Sequence, residues 1–247
     1  MRRFDNKVVL VTASASGIGL GISKRMGQEG ATVIISSRNQ ANVDKAVEEL
    51  KRDGIKAEGF VCHVGNKQMR DQLKEYIKTT HGRLDTLVLN AAVSTHFGSL
   101  FDTTEQQFDK TFDINLKSVF FMVKEYRDLM PHGSSILLIS SYVGYQLDQT
   151  IGVYALTKTA VLGLTKLLAR EMRDDKIRVN CIAPGLIRTK FAGSLLEHEE
   201  AAKQKLDIDR VGEPEDIAAA AAFLCSKDAD YISGEVLMVT GFVSQRL

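Results

Sequence analysis

The chain has 247 residues, with 32 Lys and Arg against 31 Asp and Glu, and a net charge of +1. That balance gives no basic face to neutralise nucleic-acid phosphates or an anionic bilayer, so nucleic acid is not an expected partner. The length suits one α/β domain with a large core, and no linker, internal repeat or low-complexity tract interrupts it.

Lys7 to Val11 is a short apolar run of buried-strand type. It is followed by Thr12-Ala13-Ser14-Ala15-Ser16-Gly17-Ile18-Gly19 and a helical stretch through Gly30. Residues this small let the backbone approach a phosphate, which the unpaired N–H groups of the helix's first turn can bind. A tight packing turn with no ligand would use the same residue types. Ala31 to Ser36 is a second strand and completes a βαβ unit. An acid at its end would hold an adenosine 2′-hydroxyl and repel a 2′-phosphate. Ser37, Arg38 and Asn39 stand there instead, and a hydroxyl with a guanidinium suits a phosphate.

Further strands are expected at Ala57 to Cys62, Leu84 to Leu89, Ser135 to Ser140, Lys176 to Ile182 and Glu235 to Val239, each after a helix-like segment. Thr104 with Gln107 forms a capping box for a long helix through Met130, which Pro131 and Gly133 end. The continuous apolar run Ile136 to Ile139 suits a central strand buried on both sides. The alternation predicts a Rossmann-type, doubly wound parallel sheet of about seven strands with helices on both faces, in a single α/β domain.

Open parallel sheets bind ligands at the carboxyl edge of their strands. Asn90, Ser141 and Pro184-Gly185 each follow a strand, so they converge on one crevice. Thirteen residues after Ser141 comes Tyr154, with Lys158 four further on. That spacing puts a phenol and an ammonium on one helix face, where the cation is expected to lower the phenol pKa. Ser140 is an adjacent competitor for Ser141. Cys62, Cys181 and Cys225 are widely spaced, which argues against a disulfide framework and for a reducing compartment. No apolar run of 18 residues is expected to span a bilayer, and Met1 to Asp5 leads into the first strand with no expected signal peptide.

Together these motifs resemble the short-chain dehydrogenase/reductase family. The turn from Thr12 to Gly19 is similar to its T-G-x-x-x-G-x-G motif, and Ser141, Tyr154 and Lys158 fall at its catalytic triad. Asn90-Ala91-Ala92, Asn115 and Pro184-Gly185 match its N-A-G strand end, helix asparagine and P-G turn. Narrower matches at Val11 to Ser14, Ile35 to Arg38, Val61 to Gly65 and Leu162 to Lys166 resemble its peroxisomal NADP-dependent carbonyl/retinol reductases. Two residues depart from the wider family. Ala13 replaces the first turn glycine, tolerable if its φ stays negative, and His63 stands where an adenine-binding Asp is common.

The resemblance implies catalytic Asn115, Ser141, Tyr154 and Lys158, with Asn115 holding a water that passes protons from Lys158 toward solvent. It implies NADP(H) bound by Thr12, Ser14, Ser16, Gly17, Ile18, Gly19, Ser37, Arg38, Asn39, His63, Val64, Asn90, Ala91, Tyr154, Lys158, Pro184, Gly185, Ile187 and Thr189, and no metal. The expected activity is NADPH-dependent reduction of a hydrophobic carbonyl. Oxidation of an alcohol or hydroxysteroid is the alternative, since the cellular cofactor ratio sets direction. A non-catalytic dinucleotide sensor is the rival from another class, and loss of Tyr154 or Lys158 would be its mark.

Tyr142, Val143, Tyr145, Leu147, Leu186 and Phe191 are expected to line an apolar substrate pocket, under a polar helical flap near 188–210. The helix of Tyr154 continues through Val161, Leu162, Leu164, Leu167 and Leu168, more apolar positions than one sheet-facing stripe needs. By resemblance the excess packs in a homotetramer. Ser244-Gln245-Arg246-Leu247 is similar to a peroxisomal import signal, except that Gln245 replaces a small residue. A peroxisomal address is expected, with the cytosol as alternative.

Overall fold

The computed structural model describes residues 2–193 and 208–241. The central part of the expected flap and the C-terminal tetrapeptide therefore lie outside the described residues. Seven strands form one sheet: β1 (Val8–Thr12), β2 (Thr32–Ser37), β3 (Lys56–Val61), β4 (Thr86–Leu89), β5 (Ser135–Ile139), β6 (Arg178–Pro184) and β7 (Val236–Val239). Their spatial order is β3-β2-β1-β4-β5-β6-β7, and every pairing is parallel. Leu10 on β1 pairs with Ile34 on one side and Leu87 on the other. The order reverses between β1 and β4, which opens a crevice at their carboxyl ends.

Strand parity distributes the core. Val8 and Leu10 face one layer, and Val9 and Val11 the opposite one; Ile136 and Leu138 divide from Leu137 and Ile139 in the same way. On the first face lie α3 (Lys67–His81), α5 (Ser118–Tyr126) and α6 (Gly152–Glu171), through Leu73, Val123 and Leu168. On the second lie α1 (Gly17–Gln28), α2 (Gln40–Arg52) and α7 (Pro214–Cys225), through Ile22, Val43 and Ile217. Each such fully buried aliphatic side chain contributes roughly 1.5–3 kcal/mol. All three cysteines are free and buried.

Two sequence expectations change. The capping box at Thr104 and Gln107 is present, but the helix it starts is not uniform. It runs as α4 (Glu105–Phe112), a π turn over Asp113–Lys117, then α5 and a 3₁₀ turn over Arg127–Leu129. The wider turn is held where Asn115 bonds to neighbouring elements instead of projecting along a regular helix. The second concerns hydropathy. Gln149–Glu171, which contains α6, reaches a mean hydropathy of 1.3 and is long and apolar enough to cross a membrane. Half of that window is buried against the fold, where Val161 and Leu168 enter the core.

Candidate active site

Long-range hydrogen bonds build the turn between β1 and α1. The Thr12 hydroxyl accepts from the N–H groups of Asn90 (2.9 Å) and Ala91 (3.1 Å), tying β1 to the end of β4. Ser14 Oγ donates to the Val11 carbonyl (2.6 Å) and accepts from Ser36 N–H (3.0 Å), tying the turn to β2. Asn90 Nδ2 donates to the carbonyls of Thr12 (3.0 Å) and Ala13 (3.2 Å). Held this way, Ala13 adopts φ +51, not the negative value expected from its Cβ. The left-handed conformation costs an L-residue roughly 1–2 kcal/mol, and the surrounding bonds over-determine it.

Glycine is required at position 19, where a Cβ would come 2.6 Å from Asn90 Nδ2 and 2.8 Å from the Ala13 carbonyl oxygen. Gly17 sits at φ +57. Ser16 makes no capping bond with its side chain and no acid occupies the first turn of α1. The first-turn N–H groups therefore keep their capacity for an anion.

Above this turn lies a cleft in two parts. A cavity of about 530 Å³ is lined by Ser37, Arg38, Asn42, Lys45, His63 and Val64, among others. A second, of about 240 Å³, is lined by Ser141, Tyr142, Tyr154, Lys158, Pro184, Gly185, Ile187 and Thr189, among others. Ala13, Ser16, Gly17, Ala92 and Lys190 border both, so the two join across the turn. The small-residue cradle and uncapped helix end fit a dinucleotide. Ile18 and Asn90 line the smaller cavity, and Ala91 the larger. Thr12, Ser14, Gly19 and Asn39 do not line either part. The first three shape the turn from behind, and Asn39 caps α2 by accepting from Asn42 N–H at 3.1 Å.

In the smaller part, Ser141 and Ser140 separate clearly. Ser140 is buried and donates to the Lys158 main-chain carbonyl at 2.8 Å, so it fixes α6 to β5. Ser141 is only half-buried and its hydroxyl bonds the Tyr154 phenol. Tyr154 and Lys158 share one helix face, yet Lys158 Nζ donates to the Ile139 carbonyl (2.8 Å) and lies 5.4 Å from the Tyr154 ring centroid. The ammonium thus sits over the ring while it bonds a main-chain carbonyl. Burial raises the phenol pKa well above its ordinary 10, opposed by the Ser141 bond, which corrects the expectation of a lowered value. Burial also brings Lys158 down to about 8.

Asn115 is buried in the π turn. Its Oδ1 accepts from Val93 N–H (2.8 Å), and its Nδ2 donates to the Val93 carbonyl (2.9 Å) and the Thr157 hydroxyl (3.0 Å). It clamps the segment after β4 to the helix that carries Tyr154. Tyr142, Val143, Leu186 and Phe191 line the smaller cavity as expected, with the Phe191 ring 5.6 Å from that of Tyr154. Tyr145 and Leu147 do not line it; both are exposed, because the chain turns away after Gly144.

Residues 12–242 match a family model described as Enoyl-(Acyl carrier protein) reductase. The Bos taurus protein named Dehydrogenase/reductase SDR family member 4 is 47% identical over 242 residues, covering 96% of this chain and 87% of that relative. The chain belongs to the short-chain dehydrogenase/reductase family. Tropinone reductase-like 3 of Erythroxylum coca is 45% identical over 249 residues, 100% of this chain and 96% of that protein. A solved structure, a blue fluorescent protein from a metagenomic library in complex with NADPH, superposes with a TM-score of 0.89. It is 28% identical and covers 97% of this chain and 98% of that one.

For this short-chain dehydrogenase/reductase, the cleft residues that escaped the sequence reading include three polar ones, Asn42, Lys45 and Lys190. Asn42 and Lys45 line the Arg38 cavity from α2, three residues apart on one face, a pattern shared with any solvated helix. Lys190 falls within the segment whose charges read as a solvent-facing flap, but it borders both cavities.

Proposed function

We propose that this short-chain dehydrogenase/reductase uses NADPH to reduce a hydrophobic ketone, dicarbonyl, quinone or retinal to the alcohol. The observation that carries the reading is the far wall of the cleft. Arg38 and Lys45 there outnumber the single carboxylate of Glu49, and Ser37 supplies a hydroxyl where an acid would exclude a 2′-phosphate. The first-turn N–H groups of α1 and Lys190 suit the pyrophosphate, and Thr189, Ile187 and Gly185 border the nicotinamide end.

Bound, the reduced nicotinamide supplies a hydride. Tyr154 donates its proton to the carbonyl oxygen, and its raised pKa keeps it protonated at neutral pH, the form a reduction consumes. Ser141 donates a hydrogen bond to the same oxygen and stabilises charge as it develops there. Lys158, at about 8, is mostly protonated at pH 7, and its charge eases formation of the tyrosinate. The Asn115 side chain is committed to Val93 and Thr157, so a water relay at this residue would use its main-chain carbonyl. The walls of Tyr142, Val143, Ile151 and Phe191 favour an apolar substrate.

A homotetramer belongs to the same proposal. On the outer side of α6, Leu156 and Leu167 are 42% and 62% exposed, and Phe112, Leu116, Phe120, Phe121 and Leu164 line an apolar groove beside them. So does a peroxisomal address through Ser244 to Leu247, with the cytosol as alternative. The test of activity is NADPH consumption, followed by absorbance, against a panel of apolar carbonyls with polar ketones as controls. Turnover of the apolar set is expected; intact NADPH binding with no turnover of any carbonyl overturns the reading.

A further inference from the structure

His63 follows β3 and lines the larger cavity, whose walls beside it are the apolar Cys62, Val64, Ala91, Val93 and Ile114. Its Nδ1 accepts a hydrogen bond from Gly65 N–H at 3.2 Å. A backbone amide only donates, so Nδ1 carries no proton and the neutral ring bears its hydrogen on Nε2. Burial, then the charges of Arg38 and Lys110, push the His63 pKa below its ordinary 6.5, which keeps the ring neutral at pH 7. The bend is closed by Asn66 N–H donating to the His63 carbonyl at 2.8 Å. A Cβ at Gly65 would lie 3.0 Å from His63 Cε1, so the glycine leaves the ring its place. Among the described residues Nε2 has no hydrogen-bond partner, although Nδ1 does.

A carboxylate in this place can only accept, and so selects a purine that donates from a 6-amino group. A neutral imidazole fixed as the Nε2–H tautomer can only donate from its free edge. Building on the reading that the cleft holds NADPH, we infer that His63 recognises the purine as a hydrogen-bond donor. The polarity of base recognition is then inverted, and the protein tolerates a 6-oxopurine dinucleotide that a carboxylate would reject. The acceptors offered to Nε2–H are a purine ring nitrogen in either base or the 6-oxo group of hypoxanthine. The 6-amino group of adenine offers none.

The test compares NADPH with reduced nicotinamide hypoxanthine dinucleotide phosphate, with dissociation constants read from nucleotide fluorescence and no carbonyl substrate present. Wild-type protein is expected to bind the hypoxanthine form within about threefold of NADPH. His63→Asp is expected to move the ratio toward NADPH by about tenfold, the scale of one hydrogen bond lost or gained. His63→Phe keeps a flat ring and no donor, and should weaken both dinucleotides by similar factors of up to about tenfold. A wild-type preference for NADPH of about tenfold that His63→Phe erases would show His63 accepting from the amine, and overturns the inference. An unchanged ratio in both variants puts the base elsewhere and overturns it too. Absence of binding by either dinucleotide to wild type is a different result, which removes the NADPH reading itself and this inference with it.

Discussion

Lys158 is the group whose burial should be most visible in solution. It is 2% exposed and its pKa is lowered from 10.5 to about 8, chiefly by desolvation. At 1.36 kcal/mol per pH unit, holding it protonated in the fold costs up to about 3 kcal/mol relative to the unfolded chain. The sign follows from proton binding. The unfolded lysine binds its proton more tightly, so its contribution to stability is fully present above pH 10.5, lost as pH falls to about 8, and flat below. Lys158→Met keeps the length of the chain and removes the titration. It also leaves the Ile139 carbonyl unpartnered, a roughly pH-independent loss of about 1–3 kcal/mol. The quantity to measure is therefore the stability of wild type minus that of Lys158→Met, by urea unfolding at fixed protein concentration without dinucleotide. It should rise by about 2 kcal/mol between pH 7.5 and 9.5. A difference that stays level across that window would mean Lys158 titrates like a lysine in water, and the account of a desolvated ammonium fails.

Tyr154→Phe keeps the ring against Phe191, so fold and NADPH affinity should survive while turnover drops by at least about a hundredfold; near-normal rates would remove Tyr154 as proton donor. Ser37→Asp with Arg38→Leu should weaken NADPH by roughly 2–4 kcal/mol and relatively favour NADH, read by titration calorimetry. Lys190→Ala should instead weaken NADPH and NADH alike, because it borders the junction of the two cavities and not the Arg38 wall alone. Light scattering at micromolar concentration should give a tetramer mass, and Leu167→Glu should reduce it; a monomeric wild type contradicts the assembly. A fluorescent protein ending in Ser244 to Leu247 should concentrate in peroxisomes, and a uniform cytosolic signal unchanged by Gln245→Ser defeats that address.

Local spacing carries the parts of this protein that were legible in its sequence. Alternation along Val8 to Val11 assigns each side chain to one layer of the sheet, and the i, i+4 relation puts Tyr154 and Lys158 on one helix face wherever that helix packs. Strand-ending residues such as Asn90, Ser141 and Pro184 meet at one edge because all the strands run parallel. Tertiary structure decided what depends on partners brought from elsewhere. Bonds from Asn90 and Ser36 hold the Ala13 turn in a conformation its own side chain disfavours. The Lys158 carbonyl accepts the Ser140 hydroxyl and leaves that of Ser141 facing Tyr154. The Ile139 carbonyl accepts a hydrogen bond from the Lys158 ammonium, and burial, a property of the packed layers and not of spacing, sends the Tyr154 pKa upward. Lys45 and Lys190 gain meaning only because the fold brings α2 and the segment after β6 to the walls of one cleft; in sequence, a charge lining a cleft and a charge facing water look the same.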